Sequence, residues 1–379
     1  MKLIYSSLII FFSTGINAQF DSLIWDSIER TYLVHLPSGF NGSENLPLVI
    51  AMHGGFGSAD NLQNQSQLGE KADEEHFIVV YPEGVQGGVF DIRTWNAGWC
   101  CGHASTTDVD DVGFINALLD KLIDDFPIDT DRIYATGMSN GGFMSYRLAC
   151  ELSHRIAAIA PVAASMSMVN CSPDRMVPVL DFHSYLDFNV PIEGGFGIGP
   201  STHYSSPLDS VMNVWSDLNA CQNENDTIIS NNQFTHIAWT NCACNYQVEQ
   251  YITEDGGHSW PGGQPTPLGD PGSNYINAND VMWEFFERYS LDCSPNAIDE
   301  VGLLSDVILF PNPANNTLFI RTEQNVSDLL VSIYDLMGNE MHSSKGHNEI
   351  DVSQLSNGTY ILRIEMGEVV WNRKFLKVE

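Results

Sequence analysis

One junction constrains the fold more than any other feature. The stretch "RIYATGMSNGGFMSYRLAC", residues 132–150, passes from a strand-like run through Gly137-Met138-Ser139-Asn140-Gly141 straight into a helix-like run. A turn that abrupt needs glycines. Gly137 and Gly141 lack β-carbons, so strand and helix can close tightly around a serine held in a strained conformation. A strand that feeds a helix at once is the building unit of a parallel sheet covered on both faces. Gly-x-Ser-x-Gly also arises by chance, so the partners of a nucleophilic serine have to be found elsewhere in the chain.

Residues 20–293 alternate strand and helix signals. "TYLVHLP", "LPLVIAMHGG", "FIVVYPEG", "RIYATG", "IAAIAPVAA" and "VPVLDFHS" are apolar runs of the kind buried on both sides. "DVDDVGFINALLDKLIDDF" sets Val112, Ile115, Leu118, Leu119 and Leu122 on one helical face. "NYQVEQYITED" reads as a late strand and "NANDVMWEFFERYSL" as a closing amphipathic helix. The expectation is an α/β domain with a mostly parallel sheet over residues 19–293. A linker follows over 294–305, and short alternating strands broken by Asn, Gly and Pro then form a small all-β sandwich over 306–379. Residues 1–18 carry Lys2, the apolar "LIYSSLIIFF" and a small-residue "INA" ahead of Gln19, the pattern of a cleaved export signal.

With 48 acidic and 16 basic side chains, the chain has a formal net charge of −32. Such a field repels nucleic acid and anionic membranes, and argues against both as partners. The eight cysteines lie at 100, 101, 150, 171, 221, 242, 244 and 293. An even set in an exported chain favours disulfides. Proximity favours Cys150 with Cys171, and Cys221 with Cys242 or Cys244. No metal site is expected: Cys100-Cys101 and Cys242-x-Cys244 lack the spacers of zinc knuckles, and "DVDDVGF" lacks the ligand periodicity of a calcium loop. Asp108, Asp110 and Asp111 read as helix-start charges.

A serine needs a base to take its proton and a third group to orient that base. In sheet hydrolases the chain order is serine, acid, histidine. Asp187 falls just past the apolar run "VPVLDF", and His258 lies in the glycine-rich "EDGGHSWPGG" after the late strand. Ser139, Asp187 and His258 are therefore the catalytic candidates. Asp181 lies inside its strand, Glu193 and Asp209 beyond it; His53, His103 and His183 precede the acid. "MHGGF" supplies a turn where a second oxyanion donor belongs, so the backbone N–H groups of Asn140 and Gly55 are the expected oxyanion hole, with Phe56 the alternative to Gly55. Trp260, two residues past His258, and Trp95 and Trp99 in "RTWNAGWCCGHAS" are the substrate-binding candidates, against the plainer reading that the latter pair closes a loop core.

"MHGG", "WNAGWCCG", "DVDDVGF", "DRIYATGMSNGGFMSYRLAC", "VPVLDFHSYLD" and "GGHSWPGG" together make residues 24–290 resemble the exported esterases named after polyhydroxybutyrate depolymerases, which include feruloyl and acetylxylan esterases. The resemblance implies an α/β-hydrolase fold, no cofactor, and nucleophile, acid and base roles for Ser139, Asp187 and His258. One departure is His183-Ser184, where the family often has His-Gly. "LFPNPANNTLFI", "SIYDLMGNEM", "IDVSQLSNGTYILRI" and "KFLKV" make residues 306–379 resemble the C-terminal sorting domain of the type IX secretion system. That implies export through the periplasm to the outside or the cell surface, with the secretion machinery as partner. The expected function is a secreted serine esterase acting on feruloyl or acetyl esters of plant cell-wall xylan. The alternatives are a poly(3-hydroxybutyrate)-type polyester depolymerase with the same triad and, more remotely, an inactive surface polysaccharide-binding protein.

Overall fold

The computed structural model describes residues 18–168, 170–198, 203–222, 226–265, 269–292, 308–310, 314–321, 329–335, 339–366 and 369–378. The expected export signal, apart from Ala18, and the expected linker lie outside the described residues. The chain divides into two compact units, Met1–Ser294 and Pro295–Glu379.

In the first unit the strands are β1 (Ala18–Trp25), β2 (Ile28–His35), β3 (Leu46–Met52), β4 (Ile78–Pro82), β5 (Val85–Gly87), β6 (Ile92–Thr94), β7 (Ile128–Met138), β8 (Ala158–Val162), β9 (Val179–Ser184), β10 (Gly195–Phe196), β11 (Tyr204–Ser205), β12 (Asp226–Ser230), β13 (Phe234–Trp239) and β14 (Val248–Thr253). Ten of them form one sheet in the order β1-β2-β4-β3-β7-β8-β9-β14-β13-β12. From β4 to β14 the neighbours are parallel. Both edges are antiparallel. β5–β6 and β10–β11 are separate small hairpins.

Helices α1 (Ala59–Ser66), α2 (Leu68–Glu75), α3 (Gly102–Thr106), α4 (Asp111–Asp125), α5 (Asn140–Glu151), α6 (Leu208–Leu218) and α7 (Ala278–Phe286) complete the unit. The period-two alternation of a strand explains how one sheet feeds two cores. Leu48, Ile50 and Met52 of β3 join Leu118, Phe143 and Trp215 from α4, α5 and α6. The intervening Val49 and Ala51 join Leu62, Ala72, Met282 and Phe286 from α1, α2 and α7. Strands buried on both faces carry no polar alternation, which is why they read as continuous apolar runs.

Asp110 caps α4, its carboxylate accepting the Gly113 N–H at 2.9 Å. Asp111 is the first residue of α4, as the helix-start reading expects, and it has further partners. It is buried, pairs with Arg30 at 2.7 Å and accepts the Asn96 N–H at 2.7 Å. Asp108 accepts from the Asn96 side chain at 3.2 Å. Disulfides join Cys150 to Cys171, Cys221 to Cys242, and the neighbours Cys100 and Cys101; Cys244 is also disulfide-bonded.

The second unit contains β15 (Ile308–Phe310), β16 (Thr317–Arg321), β17 (Leu330–Tyr334), β18 (Glu340–Lys345), β19 (Glu349–Asp351), β20 (Gly358–Met366) and β21 (Val369–Lys377). They form two sheets, β15-β16-β19 and β18-β17-β20-β21. Alternate residues of β16 (Leu318, Ile320) and β20 (Tyr360, Leu362, Ile364) meet with Phe375 in one core, the packing of a small sandwich.

Candidate active site

Parallel strands end at a common edge, and the loops leaving that edge gather the polar groups of an open α/β sheet. β3 leads to Gly54, Gly55 and Phe56; β7 to Ser139; β9 to Asp187; β14 to His258. The strand order places β3, β7, β8, β9 and β14 side by side, so these four loops are neighbours.

Ser139 sits at φ 54°, ψ −122°, a conformation costly for any residue with a side chain. Its N–H is tied to the Val162 carbonyl at 2.9 Å, and its carbonyl accepts the Phe143 N–H at 2.9 Å as α5 begins. A β-carbon on Gly141 would collide with the Met52 carbonyl, and one on Gly137 with the Gly141 backbone. The glycines thus let strand, serine and helix pack this closely.

Ser139 Oγ lies 2.8 Å from His258 Nε2, and His258 Nδ1 lies 2.8 Å from Asp187 Oδ2. The other Asp187 oxygen accepts the N–H groups of Asn189 at 2.9 Å and Val190 at 2.8 Å. Burial pushes the Asp187 carboxyl up, but the His258 hydrogen bond and charge, with the Val190 N–H, outweigh it and hold the group below the usual carboxylate range. An ionised Asp187 only accepts, so Nδ1 carries the ring proton and Nε2 faces the serine as an acceptor. The His258 backbone is held in turn, its N–H donating to Asp270 at 2.7 Å.

The competing acids and histidines have other hydrogen-bond partners, although His183 Nε2 also lies 3.6 Å from Asp187 Oδ2. Asp181 is buried in β9 and bonds Tyr146 Oη at 3.0 Å and Gln250 Nε2 at 3.4 Å. His183 donates from Nε2 to the Val190 carbonyl at 2.7 Å, bracing the acid loop.

Asn140 is the first residue of α5, and the N–H of a first helical residue has no partner within the helix. Gly54 abuts Ser139: a β-carbon there would lie 3.3 Å from Ser139 Cβ. Gly55 and the exposed Phe56 follow in a turn closed by Gly57 N–H to Gly54 O at 3.0 Å. The site therefore holds a hydroxyl, an imidazole and a carboxylate in series, beside a helix N-terminus and a second backbone turn.

Residues 30–171 match the family described as esterase PHB depolymerase, and residues 308–378 match the secretion system C-terminal sorting domain. The first unit is thus similar to that esterase family over residues 30–171. Feruloyl esterase B of Piromyces equi is 29% identical over 269 residues, which is 69% of this chain and 46% of its own length. The chain thus spans less than half of that relative. Feruloyl esterase C of Emericella nidulans is 26% identical over 262 residues, 68% of this chain and 83% of its own. The solved acetyl xylan esterase from Aspergillus awamori superposes with a TM-score of 0.50 at 12% identity, covering 71% of this chain and 99% of that one. The fold is the α/β-hydrolase fold.

Two of the three candidate tryptophans are not where a substrate would reach them. Trp260 is 1% exposed, packs in the core and donates its indole N–H to Asn279 Oδ1 at 3.0 Å. Trp95 is fully buried. Its N–H donates to Asn140 Oδ1 at 2.7 Å, its carbonyl accepts from Asn140 Nδ2 at 3.0 Å, and its indole N–H donates to the His53 carbonyl at 3.0 Å. Neither offers a face for stacking, so both substrate-binding expectations are corrected. Trp99 is 46% exposed and keeps an open ring. Asp270, which holds the His258 backbone, was not singled out from sequence; only its hydrogen bond reveals it, and no spacing pattern announces that.

Proposed function

We propose that this chain is a secreted serine esterase that cleaves feruloyl or acetyl esters of plant cell-wall xylan through an acyl-enzyme. The hydrogen-bonded series Ser139–His258–Asp187 at the strand ends carries the reading. As Ser139 Oγ bonds to the ester carbonyl carbon, its proton passes to His258 Nε2. Collapse of the tetrahedral intermediate breaks the ester C–O bond, and the same proton goes to the departing alcohol. A water then repeats the sequence: its proton moves to His258, its oxygen joins the acyl carbon, and Ser139 leaves with the proton restored. Asp187, ionised and buried, keeps Nδ1 protonated and the ring aimed. The N–H groups of Asn140 and Gly55, or Phe56 in place of Gly55, are assigned to the oxyanion. Ester, water and protein side chains supply every atom these two steps need.

The xylan-linked substrate is supported by relatives named feruloyl esterase and a structural neighbour named acetyl xylan esterase. The sorting domain supports delivery to the outside or the cell surface by the type IX machinery. The division into signal 1–18, esterase 19–293, linker 294–305 and sorting domain 306–379 belongs to the same proposal.

A polyester of the poly(3-hydroxybutyrate) type is the second reading. It is favoured by the family description and by exposed Phe56, Leu186 and Phe188, which lie in the turn after β3 and beside Asp187. The mature chain should release ferulate or acetate from feruloylated, acetylated arabinoxylan, and Ser139→Ala should lower that release by about 10⁴-fold or more. Undiminished release by Ser139→Ala would refute the mechanism. Hydrolysis of a small activated ester and of amorphous polyester, with none of arabinoxylan, would select the second reading.

A further inference from the structure

Ser184 is the last residue of β9 and is buried. Its hydroxyl makes two bonds that point to different loops. The oxygen accepts the N–H of Leu186 at 3.0 Å, and the hydrogen goes to the carbonyl of Asp255 at 3.0 Å. Leu186 immediately precedes Asp187, and Asp255 stands three residues before His258. A hydroxyl has one hydrogen to donate and lone pairs to accept with, so one side chain can fill both roles.

The position matters because the sheet stops there. β9 and β14 run parallel, and Ser184 opposite Thr253 is their final paired position. One more backbone bond, Tyr185 N–H to the Thr253 carbonyl at 3.1 Å, closes the pairing. Beyond it the acid loop and the histidine loop leave the sheet separately. Between Asp255 and His258 the chain passes Gly256, at φ +79°, and Gly257, residues that restrict the backbone least. Asp255 is itself anchored. Its carbonyl also accepts the Thr253 hydroxyl at 3.0 Å, and its carboxylate accepts the Ser273 hydroxyl and, at 2.9 Å, the Asn274 N–H.

We propose that Ser184 is a positioning residue that extends the β9–β14 tie past the end of the sheet and holds the Asp187 and His258 loops at a fixed separation. This rests on the reading of Ser139, Asp187 and His258 as the reacting series. Both contacts of that series are 2.8 Å long, and transfer through them depends on alignment. A misplacement of about 1 Å at such a site costs about a hundredfold in rate.

The test uses the mature full chain and 4-nitrophenyl acetate, with thermal melts run alongside. Ser184→Ala should lower kcat by about ten- to a hundredfold with KM unchanged, and Ser184→Thr, which keeps the hydroxyl, should restore most of it. In an Asp187→Asn background Ser184→Ala should cost nothing further, because the contact it aligns is already gone. A purely structural serine would instead impose the same loss in both backgrounds, and that result overturns the proposal. So does a kcat for Ser184→Ala within about twofold of the parent, a change below the tenfold step of 1.4 kcal/mol. If Ser184→Ala does not fold, Ser184→Gly serves the same comparison. Full activity in a Ser139→Ala control would sink the triad reading itself, a failure distinct from either outcome for Ser184.

Discussion

Trp95 connects the two halves of the proposed oxyanion site. Its backbone is paired with the Asn140 side chain, and its indole N–H holds the carbonyl of His53, one residue before Gly54. The His53 ring is fixed from both sides as well. Nε2 accepts the Gly84 N–H at 3.0 Å and Nδ1 donates to the Gly54 carbonyl at 2.7 Å, a pattern that needs the neutral ring. Burial keeps it neutral, lowering its pKa to about 4. Trp95→Phe would retain most of the packing and strand a buried carbonyl. The expected loss is about 1–3 kcal/mol of stability in urea melts, with kcat about tenfold lower and KM little changed; parental stability and kcat together would show that the bond does not matter. Here the sequence was misleading for a physical reason. An indole in a loop core and an indole facing substrate have the same neighbours in the chain, and only the end-point of the N–H bond separates them. That Ser139, Asp187 and His258 would meet was legible because strand-end placement and chain order are properties of the sequence itself.

The parallel strands show the same division between what a pattern encodes and what packing decides. β3, β4, β8 and β9 stand out because burial on both faces demands apolar residues throughout. The edge strand β12 and its neighbour β13, "DTIIS" and "FTHIAW", carry a mixture of polar and apolar residues that no simple period distinguishes from a loop. Asp181 interrupts the apolar run of β9, and its cost is calculable. Burial raises its carboxyl from 3.8 to about 6, with Tyr146, Gln250 and His183 offsetting only part of that. Because the folded value is the higher one, the folded state binds this proton more tightly than the unfolded chain. The stability so gained is complete below pH 3.8 and is lost as pH rises through 6. Among the described residues Gln250 Oε1 is buried without a partner, so an amide at 181 has an acceptor for its N–H, while Tyr146 keeps an oxygen to donate to. Asp181→Asn should therefore be more stable than the parent at pH 8, by on the order of 3 kcal/mol for a shift of about two units. The gap should close toward pH 4. Urea midpoints at pH 4, 6 and 8 measure it, and a gap that stays constant across the three would rule out Asp181 as its source.

At the scale of the whole molecule, charge acts on units that each have a core of their own. Sixteen basic side chains cannot neutralise 48 acidic ones, so even complete ion pairing would leave an excess of −32. Several pairs are partly exposed, such as Lys121 with Asp125 and Arg363 with Glu365, and exposed pairs contribute little. Buried Arg30–Asp111 is poorly screened by salt, whatever its net worth. Added salt therefore weakens two opposed effects on the surface: a few small attractions, and the mutual repulsion of the uncompensated carboxylates. Self-repulsion favours the expanded chain, and the screening length falls from about 30 Å at 0.01 M to about 3 Å at 1 M. The repulsion involves far more charges than the pairs do, so it should dominate. The melting temperature of the mature chain at pH 7 should rise as sodium chloride is taken from about 0.01 to 1 M across that screening range. At pH 4, where many exposed carboxylates are protonated, the rise should shrink. A melting temperature that falls with salt at pH 7 would mean that the surface ion pairs outweigh the excess charge.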